Sequence, residues 1–294
     1  MGFDMAMSEI SLVLFTTIAP SGAVAVALMA LFSLGARADA EAQARIDQCA
    51  WVPLAITLVG LVSSATHLGN PANALYILLG VGSSPLSNEV SAAVVFLGLA
   101  GVRWMLSFAR RPLRALKAVL SCLTVAAAAV FVTTVAFAYD AATVPTWSTP
   151  YVPASLWLNA LCGGPALMLA TMQWARPECA TGGVRAAALV ASAVGLCGSV
   201  VMYVLQNGVL QQAENALVSG VQLVPHYPAM IVAFAVLAAA GLAIVARACF
   251  VRRGAASSAS GVRTALIVDA VGCALVFVGI FVARFAFYMM HMTV

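Results

Sequence analysis

Apolar residues run along this chain in long blocks, with no alternation of period two and little of the one-sided stripe of a water-facing helix. Eight blocks are long enough to cross a hydrocarbon core of about 30 Å, which takes roughly 20 apolar residues. They cover about 10–34, 50–68, 89–109, 116–138, 153–175, 184–206, 227–250 and 264–290. Short polar segments separate them. The expected fold class is therefore an all-α integral membrane protein, a single eight-transmembrane-helix bundle over residues 1–294.

The connections alternate in charge. The first, third, fifth and seventh hold nearly every basic residue: Arg37 and Arg45; Arg110, Arg111, Arg114 and Lys117; Arg176 and Arg185; Arg247, Arg252, Arg253 and Arg263. The other three connections and the N-terminal segment hold none. Cytoplasmic loops are the ones enriched in Lys and Arg. An even helix count with a basic first loop predicts both termini on the outer face of the membrane. A slip of one helix would destroy the pattern.

Composition agrees with this reading. Hydrophobic residues make up 63% of the chain and charged residues 8%, against about 25% charged in soluble domains. The net charge of +4 reports orientation and forms no patch for nucleic acid. The seven cysteines contain no C-x-x-C pair and have no spacing suited to zinc or an iron–sulfur cluster. They read as reduced, packed thiols. Ser8 and Glu9 precede the first apolar block without a basic n-region, which speaks against a cleaved signal peptide.

The outer connections differ from one another. Residues 69–88 are rich in Gly, Pro, Ser and Asn. Thr143 to Trp147 reads T-V-P-T-W, a stiff turn ending in an interfacial aromatic. In 207–226, Val209, Leu210, Ala213, Ala216, Leu217 and Val221 recur at helical spacing, predicting a short amphipathic surface helix. Pro20 and Gly163-Gly164-Pro165 fall inside spans, where kinks can open space between helices.

Ionisable residues at membrane depth are expensive and mark function by default. Arg103 and Asp269 fall in the cytoplasmic half. Snorkelling is the expected behaviour of Arg103, and local hydrogen bonding or structural pairing that of Asp269. The larger group is outer: Glu9, His67, Glu89, Arg284 and His291. His67 and Glu89 flank the connection 68–88, so the antiparallel arrangement of their helices can bring them to one cavity. An imidazole and a carboxylate at one membrane face suit a ligand with two hydroxyls that must lose protons, such as a quinol, with His67 as acceptor and Glu89 as the exit to water. The competing reading is that His67 caps its helix and Glu89 stabilises a helix N-terminus.

At these residues the sequence resembles the membrane anchor subunit of DMSO-reductase-type molybdoenzymes. Ser63 to Pro71 reads S-S-A-T-H-L-G-N-P, similar to that family's H-L-G-x-P segment. Leu86 to Glu89 reads L-S-N-E at the matching distance. T-V-P-T-W is followed by Gly163-Gly164-Pro165, and Arg284 to Val294 reads R-F-A-F-Y-M-M-H-M-T-V. The resemblance implies eight spans with periplasmic ends. It implies a periplasmic molybdenum-containing catalytic subunit and a four-cluster iron–sulfur subunit as partners, menaquinol bound near the outer face, and no haem or metal in this chain. It maps the family's quinol-site residues onto His67 and Glu89, with Gly69 of the H-L-G triplet beside them and Arg284 as a further candidate. The chain would be the quinol-oxidising part of an anaerobic respiratory oxidoreductase, not catalytic toward the terminal acceptor by itself. Two departures stand out. Ala72, Asn73, Ala74 and Leu75 replace the basic and aromatic residues that family members can carry after the proline. The stretch Gly279 to Ala283 has no acidic partner for Arg284, whose competing role is an interfacial anchor.

Two other classes compete. A haem b subunit needs facing axial histidines, and of His67, His226 and His291 only the first and last suit it. A secondary transporter usually shows inverted repeats and polar groups at the midplane, and neither is evident.

Overall fold

A computed structural model gives an all-helical protein. It describes residues 1–35, 40–67, 76–77, 79–109, 113–175, 182–215, 217–255 and 259–292, the side chains of 40, 248–255, 259–263 and 265 excepted. The helices are α1 (Gly2–Ser8), α2 (Ile10–Gly35), α3 (Ala40–Cys49), α4 (Trp51–Ala65), α5 (Pro85–Met105), α6 (Arg114–Ala138), α7 (Tyr151–Ala175), α8 (Gly182–Gln212), α9 (Gly220–Leu223), α10 (Tyr227–Ala255) and α11 (Ala259–Met289). Among the described residues, eight stretches are long and apolar enough to cross a membrane, so this is a multi-pass membrane protein. The second reaches back to Glu41, because α3 leads into α4 with only Ala50 between them. The polar stretch Ala40–Cys49 thus belongs to a span that hydropathy alone starts near residue 50.

Eight crossings return the chain to its starting side. The N-terminal helix α1 packs on the end of α11, with the Phe3 and Phe285 rings 5.4 Å apart. The face carrying both ends is the terminal face; the other carries the basic loops.

α2 and α7 are the most enclosed spans and pack on each other; α4 and α6 also lie on α2, α8 on α7, α5 on α6, and α10 on α11. α4 and α5 touch only slightly. Exposed valines on the outer helices, among them Val59, Val94, Val130, Val190, Val204 and Val232, present an apolar surface that lipid solvates.

Without a hydrophobic drive between helices in lipid, close approach through small residues provides the association. A Cβ on Gly22 would meet Thr57, and one on Gly60 would lie 2.9 Å from the Ala19 Cβ; these two glycines set the α2–α4 contact. A Cβ on Gly195 would lie 2.5 Å from the Cys162 backbone nitrogen, and one on Gly163 2.6 Å from the Ser21 hydroxyl. The Gly-Gly-Pro step in α7 therefore closes space against α2, where a kink would have opened it.

At the basic-loop face, Arg103 of α5 is buried. Its Nη2 donates to Asp47 at 2.7 Å and to Ser33 Oγ at 2.8 Å, and its Nε donates to Ser121 Oγ at 2.9 Å. The expected snorkelling does not occur, because the α3 extension carries an aspartate into reach. On the same side Gln173 Nε2 donates to the buried Asp269 at 3.4 Å, the structural pairing expected of that residue.

Candidate functional site

At the terminal face, α2 and α4 run antiparallel, and the Ser63 hydroxyl donates to the Ser11 carbonyl at 3.0 Å. That contact brings the end of α4 beside the start of α2. Glu9 sits at the break between α1 and α2 and His67 just past α4. The His67 Nε2 lies 3.2 Å from Glu9 Oε2, and both side chains are partly exposed. The pair is ionic whenever the imidazole is protonated. Gly69 lies outside the described residues.

Glu89 follows Pro85 at the start of α5, whose N-cap Ser84 accepts from the Ser87 amide. Its side chain is buried. The neighbour of His67 is thus Glu9, while Glu89 faces inward in the electrostatic surroundings of Tyr139 and Tyr288. The weak contact between α4 and α5 accounts for this: both helices lie against the inner α2–α6 layer more than against each other.

Arg284 of α11 is completely buried, which excludes the interfacial-anchor role. Its Nε donates to Thr16 Oγ1 at 3.1 Å. The Thr16 hydroxyl is itself committed to the Leu12 carbonyl at 2.9 Å, so its lone pair points to the arginine. The guanidinium carbon lies 4.2 Å from the Phe287 ring centroid, 5.6 Å from that of Tyr139 and 5.7 Å from that of Tyr288, within range of cation–π attraction. Its Nη1 and Nη2 are buried and have no hydrogen-bond partner among the described residues, nor does the Tyr227 hydroxyl. Thr16 lies six residues into α2 and Arg284 five before the end of α11. At 1.5 Å per residue the group sits roughly 8–9 Å below the helix ends.

The aromatic walls are held by the loop after α6. The Thr146 hydroxyl donates to the Met290 carbonyl at 2.6 Å, and Trp147 Nε1 to the Phe287 carbonyl at 3.2 Å. Both carbonyls lie at the C-terminal end of α11, where helix carbonyls lack a full set of intrahelical partners; that of Phe287 also accepts from the Met290 amide at 3.2 Å. Trp147 also stacks on Phe287 at 4.6 Å and meets the His291 ring at 4.9 Å. The T-V-P-T-W motif therefore fixes the last turn of α11. Tyr139, just outside α6, has its phenol pushed well above the usual value, first by burial, then by Tyr288 and Glu89, with Arg284 opposing.

Sequence reasoning missed Thr16, Tyr139 and Tyr288. An arginine inside an apolar run with no acid nearby in sequence is the available signal; Phe287 and Tyr288 lie on its own helix, but Thr16 and Tyr139 come from other segments. The expected amphipathic helix in 207–226 is absent among the described residues. α8 continues to Gln212, and an isolated bridge pairs Glu214 with Ser219 before the single turn α9. Below the loop, Gln206 Nε2 donates to the Thr146 carbonyl at 2.6 Å and its Oε1 accepts from Thr149 at 2.8 Å. A groove of about 280 Å³ at this end is apolar and lined in part by Phe3, Met7, Ile10, Phe281 and Phe285. Among the described residues, no three His, Cys, Asp or Glu side chains converge as metal ligands would.

Fold and site together define a helical multi-pass membrane protein that carries His67, Glu89 and the incompletely bonded Arg284 toward one face. The family profile described as "DMSO reductase anchor subunit (DmsC)" matches residues 3–290, and the protein belongs to that family. Among similar relatives is the C subunit of the anaerobic dimethyl sulfoxide reductase of Escherichia coli (strain K12), 28% identical over 97% of this chain and 96% of the relative. The anaerobic dimethyl sulfoxide reductase subunit YnfH of the same organism is 29% identical with the same coverage. The corresponding C subunit of Haemophilus influenzae is 28% identical over 97% of this chain and 95% of its own length.

Proposed function

We propose that this membrane anchor oxidises a quinol, menaquinol, at its terminal face and passes the electrons to a partner iron–sulfur subunit in anaerobic respiration. The terminal face is then the periplasmic face of the inner membrane, since the basic loops lie at the other end. The partners are a four-cluster iron–sulfur subunit and a molybdenum-containing catalytic subunit, both docked on that side. Reduction of the terminal acceptor takes place in the catalytic subunit.

The observation that carries this reading is the concentration of proton-handling and oxygen-binding groups at one end of the bundle: His67 beside Glu9, buried Glu89, and Arg284 with unfilled nitrogens. A quinol becomes a quinone by releasing two electrons and two protons. His67, partly exposed and paired with a carboxylate, can accept one proton and pass it to water. Glu89 and the Tyr139–Tyr288 pair form a second route from the interior. Gly69 follows His67 by two residues in sequence and contributes no side chain. The apolar groove beside α1 suits an isoprenoid tail. No redox centre of this chain is needed, because the electrons leave for the partner's cluster.

The test is His67→Ala in the assembled complex, followed by menaquinol-dependent reduction of the partner's clusters. A loss of roughly a hundredfold, the scale of one general base, is expected. An unchanged rate with the complex intact overturns the proposal.

A further inference from the structure

We propose that Arg284 is the group that binds one ring oxygen of the quinol, and that it does so preferentially when that oxygen is anionic. This rests on the quinol reading above and gives that site a charge selectivity.

A guanidinium carries five N–H donors. Arg284 has its Nε bond to Thr16, and both terminal nitrogens are buried without a partner among the described residues. No carboxylate among the described residues forms an ion pair with it; the nearby Glu89 is in the surroundings of Tyr139 and Tyr288. An unpaired buried cation is costly, because the water it gave up is not replaced by an opposite charge. The other buried arginine, Arg103 at the opposite face, has both its Nε and an Nη engaged. The unused donors of Arg284 therefore call for an oxygen supplied from outside the chain.

The surroundings indicate its class. Phe287 and the Tyr139 and Tyr288 rings bound the guanidinium, so the ligand meets aromatic surface and the edge of a cationic fork. The buried Tyr227 hydroxyl, in the electrostatic range of Arg284, adds a donor without a partner. A planar ring bearing an oxygen satisfies both. A hydrogen bond from a charged donor is stronger when the acceptor is an anion, and in a site closed to water the difference is less screened. Arg284 then favours the deprotonated hydroxyl, so that one proton leaves the quinol before its electrons do. The remaining proton and both electrons leave on oxidation to the neutral quinone, whose weaker hold on the guanidinium lets it depart.

The experiment measures binding to the full chain in nanodiscs, using 2-hydroxy-1,4-naphthoquinone, an anion at neutral pH, and the neutral 2,3-dimethyl-1,4-naphthoquinone. The wild type is expected to bind the anion roughly 10- to 100-fold more tightly, the range a charge-assisted hydrogen bond supplies, and to lose that preference as acid protonates the hydroxyl. Arg284→Gln is expected to bind both probes equally, and Arg284→Lys to keep part of the preference. Retained binding of the neutral probe reports that a variant is folded, and the wild-type pH series needs no variant at all. Binding of both probes by the wild type without preference, or an undiminished preference in Arg284→Gln, overturns the inference and leaves the quinol reading standing. A wild type that binds neither probe overturns both.

Discussion

The two buried arginines of this bundle sit at opposite ends and are treated differently. Arg103 is held by Asp47, Ser33 and Ser121, which come from three different helices. Arg284 has one hydrogen bond, to Thr16, and two terminal nitrogens without a partner among the described residues. Burial costs both side chains the same solvation. At Arg103 the chain itself returns that cost through an ion pair and two hydroxyls, and the result ties α2, α3, α5 and α6 together. At Arg284 the described chain returns it only through the Thr16 hydrogen bond and cation–π contacts. On the function proposed above, the filled arginine is architecture and the unfilled one a binding site.

Breaking the Arg103 network should have the largest effect. Arg103→Met or Asp47→Leu alone leaves an uncompensated buried charge and should cost about 3–5 kcal/mol. The double variant removes both charges and should recover most of that loss, read as thermal stability of the detergent-solubilised protein. Arg284→Met should go the other way: removing a buried cation that has no carboxylate partner among the described residues should leave stability unchanged or raise it, while quinol oxidation is lost. If Arg284→Met and Arg103→Met destabilise equally, the contrast between them disappears.

Smaller changes sharpen the contrast without touching either arginine. Gly195→Ala drives a methyl to 2.5 Å from the Cys162 nitrogen and should cost about 1–3 kcal/mol through overpacking. Asn159 donates to the Tyr203 hydroxyl at 2.6 Å and accepts from Ser199 at 2.9 Å. Interhelical bonds of this kind in membranes average about 0.6 kcal/mol, so Asn159→Ala should lower the unfolding midpoint only slightly. Tyr139 supplies a pH dependence. Its folded-state pKa is raised above the ordinary 10.0, so its contribution is complete below pH 10 and is lost as pH rises above it. Alkaline unfolding should shift upward in Tyr139→Phe, and an unchanged profile would remove Tyr139 from that account.

Much of this was legible in sequence. The eight spans follow from block length, and the loop charges separate the two ends. The rarity of ionisable groups at such depth singles out His67, Glu89 and Arg284 as candidates, and the structure finds Glu89 and Arg284 buried and His67 beside Glu9. What sequence could not give was pairing. Asp47 belongs to a helix too polar to look membrane-embedded, so Arg103 had no visible partner and snorkelling was the natural expectation. Glu9 and His67 meet because glycines let α2 and α4 approach, a property of packed surfaces that periodicity does not encode. The Gly-Gly-Pro step shows the same limit: helix-breaking residues in a row suggest a kink, and only the neighbouring helix reveals that their missing side chains admit close contact. In 207–226 the apolar spacing was real, but the first part continues α8 and the remainder turns back through the Glu214–Ser219 bridge.

The most direct test compares menaquinol-dependent reduction of the partner's iron–sulfur clusters in membranes containing the assembled complex, for the wild type, the Arg103→Met/Asp47→Leu double variant and Arg284→Met. Near wild-type electron transfer is expected in the double variant and at least a tenfold loss in Arg284→Met, with all three complexes assembled to the same extent. Wild-type electron transfer in an assembled Arg284→Met complex would contradict it.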